Sequence, residues 1–236
     1  MTDNAQTNPI PHSREAEEAV IGAVLINPDA YYEVAQFLQA EDFYIHRHRF
    51  IWEAISRLHE NRTLVDFLTL TEELGRIGQL TETGGPAYLT GLINEVPTSL
   101  NAVAYARIIE AKAQLREGNK VGAIRLLDST WKEVLDCWLV RVELGKAYLE
   151  DSRSFEAYDQ FDKCRNRRGE VTALFVDDIP TLRYLPPLYY FLGRAQEGLG
   201  SLQAADSYNT YISIKKTATD KDPLVKDARA RLDSLN

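Results

Sequence analysis

The chain has little cysteine, a single methionine, no long apolar run, and no lysine before residue 112. Each shortage excludes something. Two cysteines, Cys137 and Cys164, are too few for a disulfide scaffold and suit a reducing cytosol, so a cytoplasmic location is expected. No eighteen consecutive apolar residues occur, so no membrane span is expected. The opening MTDNAQTNPIPHS is polar and has no apolar signal core, so no export is expected. The lysine gap divides the chain. Residues 1–111 carry 7 Arg, no Lys and 16 Asp plus Glu, a net −9; residues 112–236 carry 20 Lys plus Arg against 19 Asp plus Glu, a net +1. Neither half has the basic excess that drives phosphate binding, so no direct nucleic-acid contact is expected.

What is present is helical patterning. LNAVAYARIIEAKAQLRE, Leu100 to Glu117, has no Gly or Pro. Its apolar or small residues Leu100, Val103, Ala104, Ile108, Ala111 and Leu115 share one helix face. Pro97 precedes it, Ser99 or Asn101 can cap it, and Gly118-Asn119 can stop it. The spacing predicts one unbroken helix, and the change in lysine usage falls inside it.

Before this helix, Ser13 can cap a helix running to about Ile26, with Ala16, Ala19, Val20, Ala23 and Val24 as its buried stripe. Glu15, Glu17 and Glu18 lie in its first turns, where the helix dipole favours carboxylates. Asn27-Pro28-Asp29 restarts the chain. Short helices follow on Tyr31, Val34 and Leu38, on Phe50, Ile51, Ala54, Ile55 and Leu58, on Leu70, Leu74 and Ile77 after Asp66, and on Tyr88, Leu89 and Leu92 after Gly84-Gly85-Pro86. The segments PHSREAEEAVIGAVLINPDAYYEVAQFLQAEDFYIHRHRFIWEAISRL, VDFLTLTEEL and GGPAYLTGLINEVPTSLNAVAYARIIE, in that order, resemble the N-terminal domain of a DnaB-type replicative DNA helicase over about residues 9–111. The resemblance implies a helical head from a DNA-replication protein that self-associates in pairs, hence a homodimer through the head. In that family a second hairpin helix and an ATPase domain follow. Here neither is expected within the sequence, which has no GxxxxGK[ST] to cradle phosphates.

After the helix, spacing repeats. Leu144-Gly145, Tyr148, Ala157, Phe161 and Cys164 resemble a tetratricopeptide (TPR) repeat, two antiparallel helices with small residues at their crossing. Ala111, Gly118, Ala123 and Leu127 form the preceding unit. Tyr189, Leu192-Gly193, Gly200, Ala205 and Tyr208 form the following one, after an insertion at about 165–184. Leu224, Ala228 and Leu232 mark a capping helix.

The fold class expected is all-α: a flexible arm over 1–12, a head over 13–99, a shared junction helix over 100–117 carrying Tyr105, Ile108, Ala111 and Leu115, and a TPR α-solenoid of three helix pairs plus a cap over 118–236. Lys112, Lys146 and Arg194 each follow the small crossing residue of their unit. Ile108, Val142 and Tyr190 lie one turn before them. This makes a basic ladder beside an apolar one, suited to an acidic or C-terminal peptide in a TPR groove through Lys112, Val142, Lys146, Tyr190 and Arg194. The other reading of the same residues is a solvated charged face.

Other candidates are bland. His46 and His48 flank Arg47 without metal-ligand spacing, so surface or capping roles are expected and no metal or other cofactor. Cys164 reads as packing. Cys137, ahead of Trp138 at a helix start, reads as a core or boundary residue, with a mildly activated thiol as the alternative. Ser129 and Thr130 have no His partner in a catalytic motif, so no enzyme is expected. Two functional readings stand: an engineered chimera that joins a self-associating head to a rigidly held TPR domain, and a natural replication-associated TPR adaptor.

Overall fold

The computed structural model describes residues 10–94, 96, 98–134, 137–166, 178–215 and 222–235, without the side chains of 178–186. Most of the expected arm (1–9), Pro97 and most of the expected insertion (167–177) lie outside the described residues. Among the described residues every regular element is helical.

Helix α1 (Arg14–Ile26) starts where Ser13 Oγ accepts the Ala16 N–H at 3.3 Å. The expected stripe is too narrow, because every residue from Ala16 to Leu25 is buried, Glu17 and Glu18 included. A helix buried on all sides is the centre of its domain. Around it lie α2 (Ala30–Val34), α3 (His46–Glu60) and α5 (Gly85–Asn94), with α4 (Phe67–Arg76) packed on α3 and α5. Asp66 caps α4 reciprocally: its carboxylate accepts the Thr69 N–H at 2.8 Å, and its own N–H donates to Thr69 Oγ1 at 3.0 Å. Gly22 lets α5 approach α1, since a Cβ there would fall 2.3 Å from the Leu92 carbonyl oxygen.

Helix α6 (Ala102–Arg116) is unbroken and begins two residues later than expected. A 3-10 turn, Ser99–Asn101, leads into it, capped by Thr98, whose Oγ1 accepts the Leu100 N–H at 3.2 Å. Leu100 therefore sits out of helix register and is 88% exposed, a correction to its place in the apolar stripe. At the other end Gly118 takes φ +83°, and the Asn119 N–H returns to the Gln114 carbonyl at 2.8 Å.

Three helical hairpins follow in register: α6 with α7 (Lys120–Glu133), α8 (Trp138–Glu150) with α9 (Ser154–Asn166), and α10 (Asp178–Gly198) with α11 (Gln203–Ile214). Each successive pair packs on the one before, and α12 (Pro223–Leu235) lies on the last. The crossings repeat. A Cβ on Gly145 would fall 2.5 Å from the Phe161 ring, and one on Gly193 would fall 2.7 Å from the Tyr208 ring. Ala111, Ala123 and Leu127 are wholly buried at the equivalent places in the first hairpin. Tyr208 therefore does the work of Phe161. The small residue beneath it is Ala204, fully buried, and not Ala205 as expected, because Ala204 follows Gly193 at one residue fewer than Ala157 follows Gly145.

One apolar core runs without interruption from Ala16 on α1 through α6 and α7 to Ala147 on α8. A second, around Phe161, Cys164, Leu188 and Leu192, joins α8, α9 and α10. A third, around Tyr208, Tyr211, Val225 and Ala228, joins α10, α11 and α12. Head and first hairpin thus share a core, with no seam at residue 117.

Candidate functional site: the junction helix and the basic ladder

Helix α6 packs on α1 and α2 of the head and on α8 of the second hairpin. Tyr105, Ile108, Ala111 and Leu115 are all buried in the shared core. Arg107 lays its guanidinium 3.6 Å from the Phe37 ring centroid. At the C-terminal end Arg116 donates to the Asp42 carbonyl at 2.6 Å and the Pro11 carbonyl at 3.1 Å, tying the helix back onto the head.

The ladder residues do not form an open groove. Lys112 is buried, and its ammonium lies 2.8 Å from Glu143 Oε2. Lys146 donates to the other oxygen of the same carboxylate at 2.7 Å. Burial acts to raise the Glu143 pKa, but the two ammonium groups outweigh it and hold the carboxyl at about 2. Burial acts to lower the Lys146 pKa, and Glu143 outweighs that and raises it. Lys146 also stands 4.7 Å over the Phe191 ring. The apolar ladder is closed as well. Val142 is packed against Phe161, Leu188 and Leu192. Tyr190 is buried, donates its hydroxyl to Asp227 of α12 at 2.6 Å, and accepts from Arg194 at 3.2 Å. The two lysines are thus neutralised, and Tyr190 already holds a carboxylate from the chain itself. Glu143 is the residue that sequence reasoning missed. Its place one turn before Lys146 was visible, but the lysine on α6 was not an evident partner.

Two other expectations change. His48 is neither a surface nor a capping residue; it is wholly buried on α3. Its Nδ1 lies 2.8 Å from Glu17 Oε2, and its Nε2 lies 2.6 Å from the Tyr88 hydroxyl. Glu17 also accepts the Tyr44 and Ile45 N–H groups at 2.9 and 3.2 Å. Cys137 is buried, and burial pushes its thiol up to about 11, the opposite of activation. Cys164 is buried, and its carbonyl accepts the Trp138 indole N–H at 3.3 Å. The Ser129 and Thr130 hydroxyls both donate to the Leu126 carbonyl. Among the described residues no three His, Cys, Asp or Glu side chains are grouped to hold a metal, and no helix is long and apolar enough to cross a membrane.

Residues 9–111 match the family described as the DnaB-like helicase N terminal domain. The head is similar to that domain. The chain is 34% identical over 176 residues to the replicative DNA helicase DnaB of Geobacillus stearothermophilus, covering 70% of this chain and 39% of that protein. It is 31% identical over 186 residues to the replicative DNA helicase DnaC of Bacillus subtilis, covering 74% of this chain and 41% of that one. Among solved structures, the N-terminal domain of DnaB helicase from Mycobacterium tuberculosis is 34% identical, covers 58% of this chain and 98% of its own, and superposes with a TM-score of 0.46. The chain spans about two fifths of the length of those first curated relatives. The part related to replicative helicases is a helical domain, and DNA replication is the setting in which its relatives are named.

Proposed function

We propose that the chain is a non-catalytic assembly protein: a helicase-type head that pairs with a second copy and carries a TPR-type array at a fixed angle. It is an engineered fusion joined inside α6, and it works in the cytoplasm. The observation that carries this reading is the junction itself. One unbroken helix has Tyr105, Ile108, Ala111 and Leu115 buried in the core that the head and the first hairpin share, it packs on both α1 and α8, and Lys112 on it is clamped by Glu143 of the next hairpin. A continuous helix buried on both sides transmits orientation, whereas a flexible linker does not. The lysine usage that switches on at Lys112 supports two parents. The repeated Gly145–Phe161 and Gly193–Tyr208 crossings support the TPR assignment.

Size-exclusion chromatography with light scattering at micromolar concentration tests the assembly role. The expected mass is twice the 26.8 kDa of one chain; a strict monomer overturns it.

A natural replication-associated adaptor that binds an acidic or C-terminal peptide is the second reading. One observation favours it. The alignments to the Geobacillus and Bacillus proteins cover 70% and 74% of this chain, more than all of residues 1–111, so they run into the array. Peptide-array binding that is lost in Arg194→Glu, a side chain outside the Glu143 clamp, supports this reading; the absence of saturable binding to any peptide removes it.

A further inference from the structure

The head contains a hydrogen-bond chain that runs through one phenol with two partners. Glu17 and Glu18 stand side by side on α1, His48 on α3 and Tyr88 on α5. The Tyr88 hydroxyl is 2.6 Å from His48 Nε2 and 3.2 Å from Glu18 Oε1. The same Glu18 oxygen accepts Arg14 Nε at 2.7 Å. A phenol has one proton to give, so it can donate to only one of these at a time.

The protonation of His48 decides which. The Glu17 carboxylate only accepts, so His48 Nδ1 carries a proton in either state. In the neutral ring Nε2 is a bare acceptor, and the Tyr88 O–H donates to it. In the charged ring Nε2 carries a proton and donates to the phenol oxygen, and the phenol proton turns to Glu18. We propose that this trio is a proton-operated switch in the head. A proton taken from solvent onto His48 Nε2 adds a bond from α5 to α1, while the phenol keeps its own proton and only rotates it. Each buried polar group has a partner in both states, so the change does not require unfolding.

Charged or polar groups face the trio from three helices and the loop before α3. Glu17 and Glu18 face it from α1, with Arg14 on the outer side of Glu18. From α3, Arg47 stands 4.9 Å over the Tyr88 ring, and Arg49 is engaged with the Phe43 carbonyl. From α6, Arg116 acts on Glu17. From the loop before α3, Tyr44 contributes its backbone N–H. Tyr88 stays a phenol, because burial first, and the Glu18 charge next, push its ionisation upward. Gly84 sits against the base of the Tyr88 side chain, where any larger residue would press on it: a Cβ there would fall 2.9 Å from Tyr88 Cβ.

The test is nuclear magnetic resonance on the full chain with 15N-labelled histidine and 13C-labelled tyrosine, from about pH 9 down to about pH 5. The expected result is that Nδ1 of His48 carries a proton throughout, Nε2 passes from acceptor to protonated, and the Tyr88 ring signals move with the same midpoint. In Glu18→Gln the Tyr88 response to the His48 proton shrinks, because the second acceptor has lost its charge. A structural histidine with no switch leaves Tyr88 still. Three results overturn the proposal: a proton on Nε2 with Nδ1 bare at neutral pH, Tyr88 signals that ignore the His48 titration, or a His48 ring unchanged across the whole range while the head stays folded. All three are read on the unaltered chain, so they stand even if a variant fails to fold.

Discussion

The head and the array bury a carboxylate in different ways. In the head, Glu17 is held by two backbone N–H groups and a histidine ring, donors that come from the loop before α3 and from α3 itself. In the array, Glu143 is held by two lysine ammonium groups, one from the junction helix and one from its own helix. Backbone donors arrive with the fold, and of the twenty residues only proline would remove one. Lysine donors are single side chains, each leaving a buried charge if its partner goes. The head's anchor is therefore spread over the chain path. The array's anchor is concentrated in three side chains, and those three also set how the array meets the head.

The sharpest way to break this comparison is to remove Glu143. Glu143→Ala leaves Lys112 buried and Lys146 half-buried with no counter-charge, and the expected loss is about 4 kcal/mol in chemical unfolding. The triple variant Lys112→Met, Glu143→Leu, Lys146→Met replaces the cluster by apolar volume and is expected to recover most of that loss. If Glu143→Ala is silent, the clamp does not fix the junction. Acid tests the same group without mutation. Its folded pKa, about 2, lies below its ordinary value of 4.5. A depressed carboxyl stabilises the fold fully above pH 4.5 and loses that contribution as pH falls toward 2. The expected contribution is about 3 kcal/mol. Midpoints of urea unfolding across that window should fall in the unaltered chain and stay flatter in the triple variant.

Next in size come two glycines. At Gly22 the added Cβ meets a backbone carbonyl, the Leu92 oxygen at 2.3 Å, and also Val96 Cγ2 at 2.1 Å. Backbone cannot step aside, so Gly22→Ala is expected to cost about 3 kcal/mol of thermal stability. At Gly145 the Cβ meets the Phe161 ring edge at 2.5 Å, and a ring can tilt. Gly145→Ala also gains helix propensity of about 1 kcal/mol, so its expected net cost is only about 1 kcal/mol. Equal losses at the two sites would mean that the head tolerates rearrangement as readily as the array.

Much of the architecture was legible because it is periodic. The caps at Ser13 and Asp66, the unbroken run through Ile108, and the Gly145–Phe161 spacing are local or repeated signals. What stayed hidden depended on partners far along the chain. Glu143 reads as a surface charge until Lys112 on α6 reaches it, and His48 reads as a surface residue until Glu17 and Tyr88 close on it. The partners of the ladder residues, Glu143 for Lys146 and Asp227 for Tyr190, were hidden for the same reason. Sequence spacing places side chains on a face, but it does not reveal what that face is packed against. The displacement of Ala205 by Ala204 came from a glycine-to-alanine spacing one residue shorter than in the preceding hairpin, too small a change for the repeat pattern to register.

The smallest expected effect lies at the far end of the array, where the comparison with the head is starkest. Helix α1 is buried on all sides, whereas α12 has only Val225 and Ala228 fully buried and leans on polar contacts. Asp227 accepts from the Tyr190 hydroxyl and from Arg231 Nε, both at 2.6 Å, and Arg231 in turn reaches Glu197 at 3.0 Å. Asp227→Asn keeps the shape but weakens the charged half of this relay, an expected local loss of about 1 kcal/mol. A stack of nearest-neighbour units opens from its end, so the loss should appear as faster amide hydrogen exchange in α12 and α11 alone. Exchange in α1 and α6 should not change. If they speed up together with α12, the array and the head open as one unit, and the separation between a spread anchor and a concentrated one does not describe how this chain unfolds.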